Sequence, residues 1–389
     1  MDAFTQLDFF DTEGLFSEEE RMVRDTVRSW VGDRFLPTIA EHFENGTFPT
    51  ELVPELAELG VFGPTTPEEY GGAGLNNVCY GLICQELERG DSGLRSFVSV
   101  QGSLVMFPIL TFGSEEQKRE WLPRLACAEV IGCFGLTEPD FGSNPGGMIT
   151  TARRDGDDWI LDGRKMWITN GSVSQVAIVW ARTEEGIRGF AVPTDLPGFS
   201  APEQKHKWSL RASITSELVL EEVRVPESMR LPEAEGLKAP LECLTAARSG
   251  IAWGALGAAH ACFDEALSYS KQRIVFGKPL AGFQLAQKKL ADMATDITLG
   301  QLMALRLGRL KDDGRATPNQ VSMAKRNNVH MALEVARTCR GMLGANGISL
   351  EYQVGRHMLN LESVITYEGT HDIHTLALGH ALTDLPAYR

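Results

Sequence analysis

Apolar and polar residues alternate with a helical period over the first third of the chain. Val23, Val27 and Val31 lie on one face of a helix that follows a capping-box pattern at Ser17–Glu20. Further helices are predicted over residues 52–59, 75–90, 97–112 and 115–126, the last with Ser114 as its N-cap. Residues 1–128 are therefore expected to form an all-α domain.

The period shortens between residues 129 and 237. Short apolar runs with strand character are found at Val130–Leu136, Trp159–Gly171, Val176–Ala181, Gly189–Val192 and Leu218–Val225. The second run contains two turn signals, Asp162-Gly163 and Asn170-Gly171. Strands and turns without helices between them predict an antiparallel β-domain over 129–237.

The helical period returns at residue 238 and continues to residue 389. Helices are predicted near 240–271, 283–310, 317–343 and 352–360, with another after Gly369. Successive long helices indicate a four-helix bundle. The fold class expected from the pattern is therefore α+β multidomain, with the β-domain between two helical domains.

Composition narrows the functional classes. The 389 residues are 43% hydrophobic and 23% charged, and the net charge of −15 argues against a nucleic-acid partner. The seven cysteines are scattered without a Cys-x-x-Cys pair, which is typical of a reduced compartment. No signal sequence and no apolar run of about 18 to 20 residues is evident, so we expect a cytoplasmic protein without a membrane partner.

Glu368 is the leading candidate for chemistry. It lies between Tyr367 and Gly369, after an apolar segment and before an apolar helical run. Such a carboxylate is either a solvated charge at a helix start or a desolvated base. His371 and His374 follow at a spacing of three, but the surrounding acids do not complete a metal set, so no metal is expected.

Other motifs each allow two interpretations. The loop Leu136–Ser143 offers backbone N–H groups to a ligand, or it is a plain turn; Trp167 and Thr169 either face a flat ring or pack in a core. Arg95 and Arg273 are either anion ligands or surface charges near helix ends. The glycines of 341–347 resemble a phosphate loop, but a helix C-cap explains them equally.

The order and spacing of these motifs resemble the acyl-CoA dehydrogenase family from about residue 15 to the C-terminus. The resemblance is carried by Leu136–Ser143, Trp167–Asn170, Arg273 to Gly277, Gln284, Leu290–Met293, Gly344–Gly347 and Tyr367–Thr370. Glu86–Ser96, Ser99–Met106 and Tyr367–His374 are most similar to the members that act on glutaryl-CoA. The resemblance implies an FAD enzyme, usually a homotetramer, that passes electrons to an electron-transferring flavoprotein.

The resemblance also implies roles for individual residues, with Glu368 as the catalytic base. The implied cofactor-binding residues are Phe134, Leu136, Thr137, Ser143, Trp167, Thr169, Asn170, Arg273, Phe276, Gln284, Gly341, Met342, Leu343, Gly344, Ala345, Thr370 and Asp372, some of them acting across a subunit interface. The implied substrate-binding residues are Glu88, Arg95, Ser96, Ser99, Ser143, Leu244, Arg248, Tyr367 and Gly369. Leu94, Phe141 and Asn144 depart from the family pattern.

The implied reaction is oxidative decarboxylation of glutaryl-CoA to crotonyl-CoA and CO2. Glu368 would remove the α-proton, the β-hydrogen would pass as hydride to flavin N5, and CO2 would then be lost. Three alternatives stay open at this point. They are a dehydrogenase for short monocarboxylic acyl-CoA, a nondecarboxylating glutaryl-CoA dehydrogenase, and a flavin-free CoA-binding protein.

Overall fold

The computed structural model describes residues 8–387 and begins with a helical domain. Its helices are α1 (Glu18–Trp30), α2 (Ile39–Asn45), α3 (Val53–Glu58), α4 (Asn77–Gly90), α5 (Ser92–Ser99), α6 (Phe107–Phe112) and α7 (Glu115–Ala126). The side chains of Ser17 and Ser114 accept hydrogen bonds from the third residue of α1 and of α7, which confirms both predicted N-caps.

The segment Ser92–Phe112 is one continuous run of helix, in which the π-helical residues Val100–Met106 join α5 to α6. It begins five residues before the predicted position, because Asp91 caps it by accepting a hydrogen bond from Gly93 N at 2.7 Å. Its length of 21 residues and mean hydropathy of 1.3 are sufficient for a membrane span, so the expectation that no run reaches this length is wrong. The window is 83% buried inside the protein, as in a core helix.

The middle domain is a twisted sheet. Its strands are β1 (Gly132–Gly135), β2 (Thr151–Asp155), β3 (Asp158–Thr169), β4 (Val176–Thr183), β5 (Gly186–Pro193), β6 (Phe199–Ser200) and β7 (Thr215–Pro226). They lie in the order β1-β4-β2-β3-β7-β6, and β5 pairs with β4. Most pairs are antiparallel, as predicted, whereas β4 runs parallel to both β1 and β2.

Asp162-Gly163 does not form the predicted turn. Strand β3 continues through both residues, with a bulge against β7. Gly163 adopts a φ of 148°, and a Cβ there would lie 2.5 Å from Thr150 Oγ1, so close packing rather than a chain reversal requires the glycine. Asn170, with a φ of 67°, ends the strand as predicted.

The C-terminal domain is built around one long helix. Its elements are α8 (Lys238–Gln272), the short strands β8 (Ile274–Val275) and β9 (Lys278–Pro279), α9 (Gln284–Asp312), α10 (Pro318–Met342), α11 (Gln353–Val364) and α12 (His371–Thr383). These bounds agree closely with the predicted helices. Helix α8 packs against α4 of the first domain as well as against α10, so the two helical domains share a core.

Buried polar contacts fasten α11 to the corner between α4 and α5. Asp91 accepts hydrogen bonds from Arg356 Nη1 and, at 2.8 Å, from Asn360 Nδ2. All three side chains are buried. Because α11 leads directly into the segment that carries Glu368, these bonds place that segment against α5, which carries Arg95.

Candidate active site

The chain makes a sharp left-handed turn at Glu368, between α11 and α12. Glu368 has a φ of 52° and Gly369 a φ of 91°. Left-handed backbone is strained for any residue that has a Cβ, and each such residue costs roughly 1–2 kcal/mol. The strain is greatest for branched and bulky side chains. A Cβ on residue 369 would lie 2.9 Å from His374 Nε2 and 3.2 Å from Arg248 Nη2, so Gly369 allows the turn to pack closely.

Two cations hold the backbone of this turn. Lys325 Nζ donates to Tyr367 O at 2.6 Å and to Gly369 O at 2.7 Å. Arg248 Nε donates to Glu368 O at 2.7 Å. Each carbonyl from residue 367 to residue 369 therefore accepts a hydrogen bond from a charged side chain, which orients the Glu368 carboxylate.

The Glu368 carboxylate has the properties of a general base. Its Oε2 atom is buried and has no hydrogen-bond partner within residues 8–387. Burial raises the pKa of Glu368 above its ordinary value, while the charges of Arg95, Lys325 and Arg248 oppose that rise. The carboxylate is therefore desolvated rather than a solvated charge at a helix start, and its role as the base stays a prediction.

Arg95 lies in the same pocket, within helix α5, and only 1% of it is exposed. Its Nε donates to Glu88 Oε2 at 2.7 Å, and its Nη1 donates to Ser99 Oγ at 3.1 Å. Its Nη2 donates to the Tyr367 hydroxyl, which also lies 3.4 Å from Ser96 Oγ. Arg95 is thus no surface charge, and it meets the residue that precedes Glu368.

The charge state of this cluster follows from burial and pairing. Burial opposes the charge on Arg95, but Glu88 and the Tyr367 oxygen hold the pKa of the guanidinium well above its ordinary value. Burial also raises the pKa of the Tyr367 phenol to about 12, so the phenol is neutral. The close approach of Glu88 to α8 requires Gly254, since a Cβ there would lie 2.0 Å from Glu88 Oε2.

A second group of predicted residues forms a face on the middle domain. Trp167 adopts a φ of 63° at a bulge of β3 and is 63% exposed, whereas its neighbour Ile168 is buried and Thr169 is partly exposed. The bulge therefore presents Trp167 as an open flat surface rather than a core residue. Met166 N donates to Thr137 O at 2.9 Å, which keeps the Leu136–Ser143 loop beside this face.

The two groups are adjacent. Asn170, at the end of β3, donates from Nδ2 to Phe97 O of α5 at 3.3 Å, and its buried Oδ1 lacks a partner within residues 8–387. Phe134 and Leu136 are buried in a cluster against which Leu244 of α8 packs, one turn before Arg248. Ser143 is exposed at the outer end of its loop.

A third group lies elsewhere. Arg273 and Gln284 are exposed, and Phe276, with a φ of 48°, is 94% exposed beside Phe283. Arg273 caps the end of α8, 25 residues after Arg248, a separation of about 37 Å along a helix axis. One chain therefore does not bring this group to the Glu368 turn.

The remaining predicted cofactor-binding residues differ in whether their side chains are exposed to a ligand. Gly341, Gly344 and Ala345 are exposed around the end of α10, whereas Met342 and Leu343 bury their side chains in the helical core. Only the backbone of those two is left to meet a cofactor. Thr370 caps α12 by accepting a hydrogen bond from Ile373 N at 3.2 Å, and Asp372 is exposed in the first turn of that helix.

Several residues that shape the site were missed by sequence reasoning. Lys325 is an example: it falls on the apolar face of α10, four residues after Val321 and four before Val329. A charge on a buried helical face was a usable signal. Lys165 and Glu138 form a buried ion pair at 2.8 Å that secures the Leu136–Ser143 loop, and their pairing could not be read from a separation of 27 residues.

Leu94, one of the departures from the family pattern, packs in the core of the first domain with Phe97 and Ile83. Its side chain thus belongs to a different cluster from the pocket of Arg95. Phe141 contacts the 3-10 turn at 145–147, where a Cβ on Gly147 would lie 2.4 Å from its ring.

Comparison with known proteins accounts for nearly the whole chain. Residues 17–129, 133–223 and 234–383 match the models of the N-terminal, middle and C-terminal domains of acyl-CoA dehydrogenases. The chain belongs to the acyl-CoA dehydrogenase family. The predicted family and fold class are thereby confirmed, and the protein is an enzyme of this type.

Particular relatives are similar over almost their full lengths. A glutaryl-CoA dehydrogenase from Mycobacterium smegmatis in complex with FADH2 is 57% identical, with a TM-score of 0.97, covering 98% of this chain and 99% of that one. A glutaryl-CoA dehydrogenase in complex with glutaryl-CoA is 34% identical, with a TM-score of 0.91, covering 96% and 98%. The bovine (Bos taurus) mitochondrial short-chain specific acyl-CoA dehydrogenase is 36% identical, covering 94% of this chain and 90% of the relative.

The cofactor of this acyl-CoA dehydrogenase is FAD, and the second group of residues fits it. A flat ring with polar edges suits the exposed Trp167 surface, the Thr137 and Thr169 hydroxyls, and the unpartnered Oδ1 of Asn170. Phe134 and Leu136 add an apolar wall beside this surface.

Proposed function

We propose that this acyl-CoA dehydrogenase oxidises glutaryl-CoA and releases CO2 to form crotonyl-CoA. The observation that carries the proposal is the bonding of Arg95. Its Nε is paired with Glu88, but its two Nη groups donate to neutral hydroxyls of Ser99 and Tyr367. A substrate carboxylate is a stronger acceptor than a hydroxyl and matches the planar fork of a guanidinium.

The charge balance of the pocket supports an anionic substrate. The pKa of the Arg95 guanidinium is held well above its ordinary value, so Arg95 keeps its charge although it is buried. Glu88 occupies only its Nε. A buried charge is costly unless it is well paired, and a carboxylate at the far end of the acyl chain would pair with the Nη side of Arg95. A monocarboxylic chain offers no such partner.

In the proposed reaction, Glu368 removes a proton from the carbon next to the thioester. Desolvation raises the pKa of the Glu368 carboxyl, which improves it as a base towards a weak carbon acid. FAD supplies the acceptor for the hydride that leaves the β-carbon. Arg95 holds the distal carboxylate during this step and so keeps both reacting carbons in register.

The loss of CO2 then needs a proton donor. The bond between the γ-carbon and the carboxylate breaks, its electron pair enters the conjugated thioester, and CO2 leaves. Glu368, protonated in the first step, returns a proton to the γ-carbon to give crotonyl-CoA. Glutaryl-CoA and oxidised FAD are thus converted to crotonyl-CoA, CO2 and reduced FAD.

We also propose that the enzyme is a homotetramer that passes electrons to an electron-transferring flavoprotein. The distance of about 37 Å along α8 between Arg248 and Arg273 exceeds the length of an extended FAD molecule. Arg273 and Phe276 would therefore serve the FAD of a neighbouring subunit. Sedimentation of the holoenzyme and electron transfer to the purified flavoprotein test these two statements.

The reaction is tested by mixing the holoenzyme with glutaryl-CoA or butyryl-CoA and following flavin bleaching and CO2 together. We expect glutaryl-CoA to be preferred and to release one CO2 for each flavin reduced. Bleaching without CO2 would indicate a nondecarboxylating dehydrogenase. A preference for butyryl-CoA would instead indicate the short-chain activity that the bovine relative is named for.

A further inference from the structure

The turn that carries Glu368 depends on support from outside its own sequence. Glu368 and Gly369 are both left-handed, with φ values of 52° and 91°. Only the second is a glycine, so the conformation at Glu368 is strained and persists because its surroundings hold it. Arg248 supports the carbonyl of Glu368 itself, and Lys325 Nζ donates to the carbonyls on both sides of it, at 2.6 and 2.7 Å.

Lys325 is an unusual lysine. It is 1% exposed on helix α10. Lys165 is also deeply buried, but it is neutralised by a direct ion pair with Glu138 at 2.8 Å. The ammonium group of Lys325 instead donates to two backbone carbonyls and acts on the Glu368 carboxylate through space, since each group influences the pKa of the other.

We propose that Lys325 is a positioning residue for the catalytic base, holding the Glu368 turn through its two flanking carbonyls and favouring the ionised carboxylate by its charge. This inference rests on the proposed role of Glu368 as the base. Lys325 touches neither substrate nor cofactor in this proposal. It acts through its hydrogen bonds to the carbonyls of Tyr367 and Gly369 and through the effect of its own charge on the Glu368 carboxylate.

Other charged and titratable groups also face Glu368 and affect its pKa, so the contribution of Lys325 must be separated from theirs. Arg95 of α5 and Arg248 of α8 also lower the pKa of Glu368. They stay charged at all working pH values. His374 of α12 is neutral there, because burial lowers its pKa to about 3.

Tyr367 is neutral as well, and Glu88 is occupied by Arg95. Burial lowers the pKa of Lys325 to about 7, so its charge is the one that changes near neutral pH. Loss of that charge removes one of the effects that keep the pKa of Glu368 down. The pKa of Glu368 then rises.

The test compares Lys325→Met with Lys325→Arg in the holoenzyme. We expect Lys325→Met to lower kcat by roughly 10²-fold, the effect of a misplaced catalytic group, with KM changed little. The acid limb of its kcat/KM profile should move to higher pH. Lys325→Arg keeps a cation and should leave the limb near its original position, although its longer side chain lowers kcat.

A matched control is Arg326→Met. Arg326 is the next residue of α10 and donates to Thr375 Oγ1 of α12 at 2.7 Å, so it also ties the two helices together. Its loss should leave both kcat and the acid limb unchanged. If Lys325→Met does not fold, Lys325→Gln replaces it, because the amide removes the charge and keeps a hydrogen-bond donor on a shorter side chain.

A second readout isolates the base from the rest of the reaction. With 3-thiabutyryl-CoA, in which sulfur replaces the β-carbon, no hydride can leave, and exchange of the α-hydrogens in D2O reports proton removal alone. Lys325→Met should slow this exchange about as much as it lowers kcat. The rate is expressed per molecule of bound FAD, so a loss of holoenzyme does not imitate the effect.

The outcomes separate this proposal from the proposed function. If Glu368→Gln abolishes exchange but Lys325→Met exchanges like the original protein with an unmoved acid limb, the role of Lys325 is disproved and Glu368 remains the base. If exchange persists in Glu368→Gln, the base has been assigned wrongly. A lower melting temperature with unchanged exchange and pH profile would mean that Lys325 is only structural.

Discussion

The region around Glu368 and Arg95 differs in construction from the region around Arg273 and Phe276, although both are expected to contact FAD or substrate. Around Glu368 and Arg95, side chains from α4, α5, α8 and α10 converge within one chain. Arg95 pairs with Glu88, and Lys325 and Arg248 donate to the backbone of the Glu368 turn. Around Arg273 and Phe276, the same chain presents exposed side chains, including a phenylalanine that is 94% exposed. The region around Glu368 is thus organised by the folding of one chain, whereas in the proposed tetramer a neighbouring subunit would complete the region around Arg273.

Preorganisation explains where each kind of region is placed. A base with a raised pKa needs a dry and rigid setting, which only a shared core can give. Binding of the far part of a cofactor needs contact area and charge, which a neighbouring subunit supplies equally well. We therefore expect mutations around Glu368 and Arg95 to impair catalysis or substrate choice, and mutations around Arg273 and Phe276 to impair FAD retention and assembly.

Glu368→Gln should have the largest effect, because it removes the proposed base while keeping the shape of the side chain. We expect kcat to fall by about 10²- to 10⁴-fold, the usual contribution of general base catalysis. Flavin bleaching by glutaryl-CoA measures the loss. Glu362→Gln, which breaks the surface pair with Arg337, is the matched control and should keep normal activity.

Removal of Arg95 should act on substrate choice. Arg95→Met alone leaves Glu88 buried and unpaired, which endangers folding, so the informative variant is Arg95→Met with Glu88→Gln. We expect kcat/KM for glutaryl-CoA to fall by about 10²-fold, equivalent to a lost charged hydrogen-bond pair, and that for butyryl-CoA to change far less. An unchanged preference would rule out the carboxylate role of Arg95.

Substitutions in the exposed region of Arg273 and Phe276 should change subunit assembly and the retention of FAD. Arg273→Gln with Phe276→Ser is expected to weaken FAD binding by roughly tenfold, as for one or two lost contacts, and to shift the sedimentation profile towards smaller species. Lys288→Gln, on the exposed start of α9, is the control. Tight FAD binding in an unaltered assembly would show that this region is not an interface site.

Gly254→Ala should produce the smallest functional change. Its Cβ would lie 2.0 Å from Glu88 Oε2, so the carboxylate must shift and pull on Arg95. We expect a loss of about 1–3 kcal/mol in unfolding free energy and a severalfold drop in the preference for glutaryl-CoA. Gly257→Ala meets the backbone of Gln85 instead and should lose stability while retaining the original preference.

Much of the secondary structure was determined by the sequence alone. The serine caps at Ser17 and Ser114 and the stop at Asn170 depend on neighbours within a few residues, so their positions were predicted correctly. The start of the helix predicted at residue 97 was not, because Asp91 caps that helical run earlier. The Asp162-Gly163 turn was predicted wrongly because its signal is also local, whereas the bulge depends on Thr150 in a neighbouring strand.

In the candidate site as well, some features could be predicted from the sequence and others could not. Glu368 could be singled out from its position beside Tyr367 and Gly369, and Arg95 from the residues around it. Their burial, and hence the state of the carboxylate and the guanidinium, depended on helices far away in the sequence. Lys325 and Arg248 reach the Glu368 turn from positions 43 and 120 residues away.

The residue pattern along the chain was sufficient to predict most helices and strands, the order of the domains and the types of side chain available for chemistry. It did not reveal which cations hold the Glu368 turn or that Arg95 is buried beside it. Desolvation and pairing of charges depend on every element that surrounds a group. A local pattern along the chain does not contain that information.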